Sequence, residues 1–575
     1  MSQSIRISLI LLGVALSLAI FYAWDHIAFK SRTSAILEER GIRPSAAAYD
    51  VDILSKSSRY VGTEGHIAAQ QYIKTRLSEY LEETQITSYA ERVETVIKNR
   101  FVEAPVTNII GFIPANNMSN ETKNVALFSH YDSAESSFGA NDNAAGVATL
   151  LATAEYAAQQ NVRNYNLWLV FVDAEEIGLL GSKALKDSGF LENIDYLLNI
   201  EARGNSGHSV IFEHIGSDTQ LRNFLNLSRV TYTDSLVLDI YKILPNMTDV
   251  DELALGLSQN VQLLINTAYF GNGFAYHNEF DGIDALNYQG LLHHITQSLA
   301  LLDFASLPNT ETPVRDDKAL FIKTLTKSLS ISAPQIVVTR IGLGLFALML
   351  LLAGYQCSIF FQRNQNKPQR VWSLVLKLCS FLLIPIIPTT IIVIVSVILG
   401  RVLGDRAALS TLSLLLYVPL LICVISFVYT QIVVRWYGLG LARLGADLLL
   451  AIITLLVCLQ SHSVITVLVS ATLLRTLGIA LSFVIPQFSI PILATLVGAF
   501  FAYNLHLFEV LIYLGGIKTP LILTALTLVG VSGNIIEIVG RLNHSTAKQR
   551  RKDIETTVKP DSIFGSDSMV SRSKH

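Results

Sequence analysis

The apolar run LWLVFV at residues 167–172, followed at once by DAEE at 173–176, indicates the fold of the central part of this chain. A short run of branched and aromatic residues is typical of a strand that is buried on both faces. Acidic residues directly after such a run mark the end of the strand. In an α/β sheet, ligands gather at the carboxyl ends of parallel strands, so the DAEE segment is also a candidate site.

Two other segments of the chain share this design. Residues 124–129 precede His130-Tyr131-Asp132, and residues 196–200 precede Glu201. Helical patterns at 143–159 and 179–186 alternate with the three predicted strands. This order predicts an α/β domain whose mixed, largely parallel sheet is flanked by helices on both faces.

The composition of the chain indicates an integral membrane protein. Of 575 residues, 51% are hydrophobic and 15% are charged, whereas a soluble domain carries about 25% charged residues. The apolar excess lies in residues 7–24 and 336–540. We therefore expect four parts, namely a signal anchor at 1–24, a globular domain at 25–335, an all-α membrane domain of about seven helices at 336–540 and a basic tail at 541–575.

The distribution of basic residues predicts which side of the lipid bilayer the globular domain occupies. With about eight spans in total, the tail, the N-terminus and two basic loops share the cytoplasmic side. These loops carry Arg363, Lys367 and Arg370, and Arg435 and Arg443, although Arg401 and Arg406 lie in a loop on the other side. The globular domain is then periplasmic in a bacterial inner membrane, or lumenal in a vacuolar or endoplasmic reticulum membrane.

Charge and cysteine usage exclude several classes of function. The net charge is −3 and the basic residues are scattered, so we expect no nucleic-acid partner. All four cysteines lie in the apolar C-terminal half, which excludes disulfides and CxxC metal sites from the globular domain. The oligomeric state is not indicated by these features.

The predicted strand ends carry residues that are suited to metal chemistry. His130 and Asp132 are two apart, so the carboxylate can orient the imidazole of a metal-binding histidine. Asp142 lies in a loop of small residues that opens a helix, where it could cap that helix or bridge two metal ions. The adjacent Glu175 and Glu176 repel each other unless a cation is present or one is protonated. A solvated acidic turn is the alternative for that pair.

A second histidine completes the candidate set. His277 is followed by a carboxylate four residues later, in AYHNEFD at 275–281. Two histidines with several oxygen donors suit zinc, and one shared carboxylate suits a pair of ions roughly 3.5–4 Å apart. The ordered set comprises His130, Asp132, Asp142, Glu175, Glu176, Glu201 and His277.

These motifs resemble peptidase family M28, whose members are zinc aminopeptidases and carboxypeptidases. The resemblance is carried by HYDS at 130–133, GANDN at 139–143, FVDAEEIGLLGS at 171–182 and Tyr276-His277, with RYVGTEG at 59–65 as an opening segment. Together with the anchor and the apolar C-terminal half, the chain is similar to the membrane-bound branch that includes endoplasmic reticulum metallopeptidases and vacuolar membrane proteases. The resemblance implies the zinc-exopeptidase type of fold and peptide substrates.

The resemblance also implies a role for each residue. His130 and Glu201 would bind one zinc ion, Glu176 and His277 the other, and Asp142 would bridge the two. Glu175 would be the general base and Asp132 would orient His130. Glu201 replaces the aspartate that soluble aminopeptidases usually have. Two alternatives stay open: a single-zinc aminoacyltransferase similar to glutaminyl cyclases, and a non-catalytic binding scaffold.

Overall fold

The computed structural model describes residue 30, residues 32–332 with short gaps, and scattered positions between 340 and 362. The gaps are 98–99, 120, 229–230, 242–247, 257–260, 309–318 and 324–327. The predicted anchor, nearly all of the predicted membrane domain and the tail therefore lie outside the described residues. Within the described part of the chain, no helix has both the length and the apolar character needed to cross a membrane.

The described elements alternate between helices and strands. After a helical stretch at 32–39, the helices are α1 (Pro44–Leu54), α2 (Glu64–Ser78), α3 (Gly146–Ala158), α4 (Leu180–Asp187), α5 (Asp218–Leu227), α6 (Ser235–Tyr241), α7 (Asp249–Gly256) and α8 (Tyr288–Ala305). The strands are β1 (Ile86–Ile97), β2 (Arg100–Ile113), β3 (Lys123–His130), β4 (Tyr165–Val172), β5 (Tyr196–Ala202), β6 (Val210–Gly216), β7 (Tyr232–Thr233), β8 (Leu263–Tyr269), β9 (Ala319–Lys323) and β10 (Ser328–Ser332).

Eight of these strands form one mixed sheet in the order β1-β2-β4-β3-β5-β8-β6-β7. Its four central strands, β4, β3, β5 and β8, are parallel to one another. The hairpin β1–β2 joins β4 in antiparallel orientation, and β6 joins β8 in the same way. Strands β9 and β10 form a separate antiparallel pair. The predicted mixed, largely parallel sheet is thus confirmed, with its parallel part at the centre.

Helices cover both faces of the sheet. Successive side chains of a buried strand point to opposite faces, so each face presents apolar groups for a helix layer to cover. In β3, Val125 and Leu127 belong to a core cluster that includes residues of α1, α2, α3 and α8. Their neighbours Ala126 and Phe128 belong to a second cluster with residues of α4 and α7. Full burial of each such side chain contributes roughly 1.5–3 kcal/mol to stability. This three-layer core explains why the strand sequences are apolar throughout rather than alternating.

The sheet register brings the carboxyl ends of the central strands to one edge. His130, the last residue of β3, lies opposite Val172, the last residue of β4. Glu201 lies near the end of β5, opposite Ala268 of β8. The sequence predicted Glu201 to follow the strand, whereas the structure places it inside β5, which ends at Ala202. The chemistry of the chain is therefore concentrated at one rim of the sheet.

Candidate metal centre

Two groups of side chains at this rim meet at Asp142. His130, Asp142 and Glu201 each offer one ligand atom within 4.8 Å of the others, and Asp142, Glu176 and His277 do the same. Asp142 Oδ1 lies 3.2 Å from His130 Nε2, while Asp142 Oδ2 lies 3.1 Å from His277 Nε2. One carboxylate thus presents one oxygen to each histidine.

The third member of each group is a glutamate, which lies at a similar distance from the histidine of its group. Glu201 Oε2 is 3.7 Å from His130 Nε2, and Glu176 Oε2 is 3.0 Å from His277 Nε2. His130 and Glu201 are fully buried, whereas the His277 side chain is 33% exposed. The centre is therefore closed at the first group and reaches solvent at the second through His277.

Asp132 contacts both the histidine and the glutamate pair. Its Oδ1 lies 3.3 Å from His130 Nδ1, within ion-pair distance but without the alignment of a hydrogen bond. The two oxygens of Asp132 instead accept hydrogen bonds from the backbone N–H groups of Glu175 and Glu176, each at 3.1 Å. Asp132 therefore fixes the turn that carries both glutamates, a contact that the sequence reasoning did not anticipate.

Glu175 differs from Glu176 in its surroundings. Its carboxylate forms a third group with His130 and Glu176, again within 4.8 Å. Burial raises the pKa of Glu175 well above its ordinary value, and the nearby Glu201 and Glu176 carboxylates add to that effect, while His130 opposes it. A carboxyl group with a raised pKa beside a metal centre suits proton transfer near neutral pH.

The histidines have raised pKa values because carboxylates surround them. Burial alone would lower the pKa of His277, but Asp142 and Glu176 raise it to about 9. His130 behaves in the same way, and its pKa is raised well above the ordinary value despite complete burial. Burial would raise the pKa of Asp142, yet the two histidines lower it. The carboxylates of this cluster therefore attract positive charge strongly.

Several buried atoms of the cluster make no hydrogen bond to any residue that the structure describes. These atoms are His130 Nδ1, Asp142 Oδ2, Glu176 Oε1, Glu201 Oε2 and His277 Nε2. Each buried polar atom left without a hydrogen bond costs about 1–3 kcal/mol, and a cation bound among the carboxylate oxygens would offset part of that cost. Imidazole nitrogens and carboxylate oxygens in this combination are ligands that zinc prefers.

A buried arginine and a buried histidine–aspartate pair, both outside the predicted set, support the loops of the centre. Arg59 is fully buried, and its guanidinium donates hydrogen bonds to the carbonyl groups of Tyr131, Leu54, Phe138 and Gly139 at 2.7–2.9 Å. Burial lowers the pKa of Arg59 to about 10, which leaves it charged at neutral pH. In the sequence, Arg59 stands out only as the first residue of the RYVGTEG segment that resembles family M28.

The second support is a pair between His66 and Asp173. His66 Nε2 lies 2.7 Å from Asp173 Oδ1, and Asp173 Oδ2 accepts the Thr107 N–H at 2.7 Å. Asp173 directly follows β4, so this pair ties α2 and β2 to the segment that carries Glu175. Nothing in the local sequence signals the pair, because its members are 107 positions apart.

Part of the chain is similar to known proteins. Residues 108–302 match the model of peptidase family M28. The vacuolar membrane protease of Candida dubliniensis is 24% identical over 314 residues, which cover 53% of this chain and 32% of that protein. The match thus spans about a third of the length of this curated relative.

Solved structures also share similarity with the chain. A glutaminyl cyclase of an Acidobacteriales bacterium is 19% identical with a TM-score of 0.37, covering 46% of this chain and 94% of its own. An aminopeptidase from Aneurinibacillus sp. strain AM-1 is 14% identical with a TM-score of 0.36, covering 48% of this chain and 97% of its own.

Proposed function

We propose that this chain, whose residues 108–302 match the model of peptidase family M28, is a membrane-anchored zinc metallopeptidase that hydrolyses peptide bonds. The observation that carries the proposal is the position of Asp142, whose two oxygens face His130 on one side and His277 on the other. A carboxylate so placed is suited to bridging two ions, the arrangement of two-metal hydrolases.

The proposed ligand sets follow from the two groups around Asp142. His130 and Glu201 would hold one zinc ion, and Glu176 and His277 would hold the other. Zinc bound in this way would supply Lewis acidity toward the scissile carbonyl group and would lower the pKa of water. The number of ions is part of the proposal.

The protein's own residues account for proton transfer in the proposed reaction. Glu175 accepts a proton from the attacking water, and the same carboxyl group then donates a proton to the leaving amine. Its burial and its distance of less than 4.8 Å from the His130 ligand atom support this role. Asp132 holds the Glu175 backbone N–H and so keeps the carboxylate in place.

We also propose that the enzyme is an exopeptidase with its active site on the lumenal side of a membrane. Action at a chain end follows from the family resemblance. The name of the Candida relative supports the vacuolar membrane as the location. The predicted anchor and the predicted spans at 336–540 would hold the domain at that membrane.

The function can be tested on the full-length protein in detergent. Peptides with a free amino terminus, with a blocked amino terminus and with an amidated carboxyl terminus are compared before and after chelation, and again after zinc is added back. An aminopeptidase cleaves only the peptides with a free amino terminus, and loses that activity reversibly on chelation. Cyclisation of N-terminal glutamine without peptide cleavage would instead support the glutaminyl cyclase alternative.

A further inference from the structure

The loop that carries His277 also carries a buried carboxylate, that of Asp281, which is 1% exposed. Its Oδ1 accepts hydrogen bonds from the Asn141 backbone N–H at 3.0 Å and from Asn141 Nδ2 at 2.7 Å. Its Oδ2 accepts the Asp142 backbone N–H at 3.0 Å. In addition, the Ala140 N–H donates to the Asp281 carbonyl group at 2.9 Å. One residue therefore receives four hydrogen bonds from the turn that ends at Asp142.

These contacts join two parts of the chain that are far apart in sequence. Asn141 and Asp281 are separated by 140 positions. The backbone of Asp142 is thus held by the loop that also carries His277, whereas Asp142 reaches His130 through its side chain. Any displacement of the His277 loop would move Asp142 with it.

We propose that Asp281 is a positioning residue, which fixes Asp142 between His130 and His277 so that both halves of the metal centre form together. This inference rests on the proposed function. Asp281 itself contacts backbone and amide groups of the turn, so its effect on the metal is indirect. Groups that orient metal ligands in this way typically change metal affinity by about 10–100-fold when they are altered.

The geometry requires a carboxylate at this position. Both oxygens of Asp281 accept hydrogen bonds, on Oδ1 from Asn141 and on Oδ2 from Asp142. An asparagine has one acceptor oxygen, and its NH₂ group would face an N–H donor on one side. Asp281→Asn therefore preserves size but loses at least one of the contacts that hold the turn.

The test measures zinc affinity rather than activity. The full-length wild-type protein and Asp281→Asn are stripped of metal and titrated with zinc against a chromophoric chelator. We expect affinity to fall by roughly 10–100-fold in the variant. Asp284→Asn is the matched control, since it makes the same change three residues later at an exposed carboxylate, and its affinity should equal that of the wild type.

A second measurement separates positioning from general stability. If Asp281 only supported the fold, Asp281→Asn would lower the unfolding temperature of the metal-free protein while its zinc affinity stayed that of the wild type, and this result would overturn the inference. If Asp281→Asn does not fold, Asn141→Ala removes one hydrogen bond to Asp281, together with the Asn141 side-chain bonds to Ala285, Tyr269 and Asn287, and should weaken zinc binding several-fold. Wild-type affinity in that variant would also overturn the inference. A wild-type protein that binds no zinc would refute the proposed function itself.

Discussion

Glu175 and Glu176 are neighbours in the chain, yet their carboxylates meet different surroundings. Glu176 Oε2 lies 3.0 Å from His277, which suits a shared metal ligand set. Glu175 is 7% exposed, and burial raises its pKa well above the ordinary value. Because Glu176 lies beside His277 while Glu175 is grouped with His130, the different tasks that we propose for them follow from position rather than residue type.

The role proposed for Glu175 predicts that its substitution affects peptide hydrolysis but not zinc binding. Glu175→Gln keeps the size of the side chain but removes the group that takes the proton, so zinc content should be retained while peptide hydrolysis falls by about 100-fold or more. Steady-state kinetics and elemental analysis check the two parts. Glu192→Gln, at an exposed position, is the control and should keep both. Near-normal turnover in Glu175→Gln would remove the assigned base.

His294 predicts how stability depends on pH. It is fully buried in α8, its ring stacks on Tyr269 with centroids 5.0 Å apart, and burial lowers its pKa to about 3. An unfolded chain takes up this proton at about pH 6.5. Between these values the unfolded state binds more protons, so the free energy of unfolding falls as pH falls, by roughly 1.4 kcal/mol for each pH unit.

The variant His294→Phe should remove this contribution while it keeps the stacked ring. Denaturant unfolding of wild type and variant, both metal-free, is compared at pH 7 and pH 4.5. The loss of stability on acidification should be smaller in the variant. Equal losses would mean that His294 is not held neutral by the fold.

At the scale of single elements, the turn at 139–145 shows what the sequence could not predict. The apolar pattern indicated a helix from Asn143, but α3 begins at Gly146, because Asp142 and Asn143 have non-helical backbone angles. Asn143 uses its side chain to bind the Ile200 carbonyl and the Gly146 N–H. The contact with Ile200 joins positions 57 apart, so hydrophobic periodicity carries no trace of it.

Gly139 begins this turn, and its surroundings predict that substitution by alanine disturbs both the fold and zinc binding. Its φ is +60°, and a Cβ there would lie 2.4 Å from the Asp142 carbonyl oxygen and 2.7 Å from Arg59 Nη2. Gly139→Ala must therefore move the backbone of Asp142, so zinc binding should weaken and stability should fall by more than the roughly 1–2 kcal/mol of a left-handed alanine.

The control for this substitution is Gly189→Ala. Gly189 has a similar φ of +75°, but its added Cβ would meet only Glu192 Oε1 at 3.5 Å. This variant should lose stability by roughly 1–2 kcal/mol and keep its zinc affinity. If the two variants bound zinc equally well, the turn would not be what holds Asp142.

At the scale of the whole molecule, the strand ends decide where chemistry can occur. The apolar runs before His130, Glu175 and Glu201 were enough to predict three central strands, because strands that are buried on both faces read as short, continuous apolar sequence. The fourth parallel strand, β8, and the supports from Arg59, Asp173 and Asp281 were not predicted. Their signal lies in contacts between distant positions, such as the 140 residues between Asn141 and Asp281.

The sheet as a whole accounts for the way in which the site residues come together. His130 and Asp142 are 12 positions apart, while Asp142 and His277 come from loops that only the sheet brings together. The sequence could supply the residue types and their order, and the structure adds that Asp142 lies between the two histidines. Their assignment as zinc ligands remains our proposal.

The most direct test of the central claim is the zinc content of the purified full-length protein, measured by elemental analysis alongside peptide hydrolysis. The proposed ligand sets predict two zinc ions per chain, and His277→Ala, which removes a ligand from one set only, should bind one. Chelation should abolish hydrolysis, and zinc should restore it. A wild-type protein that binds a single zinc ion or none when saturated would contradict the two-metal account.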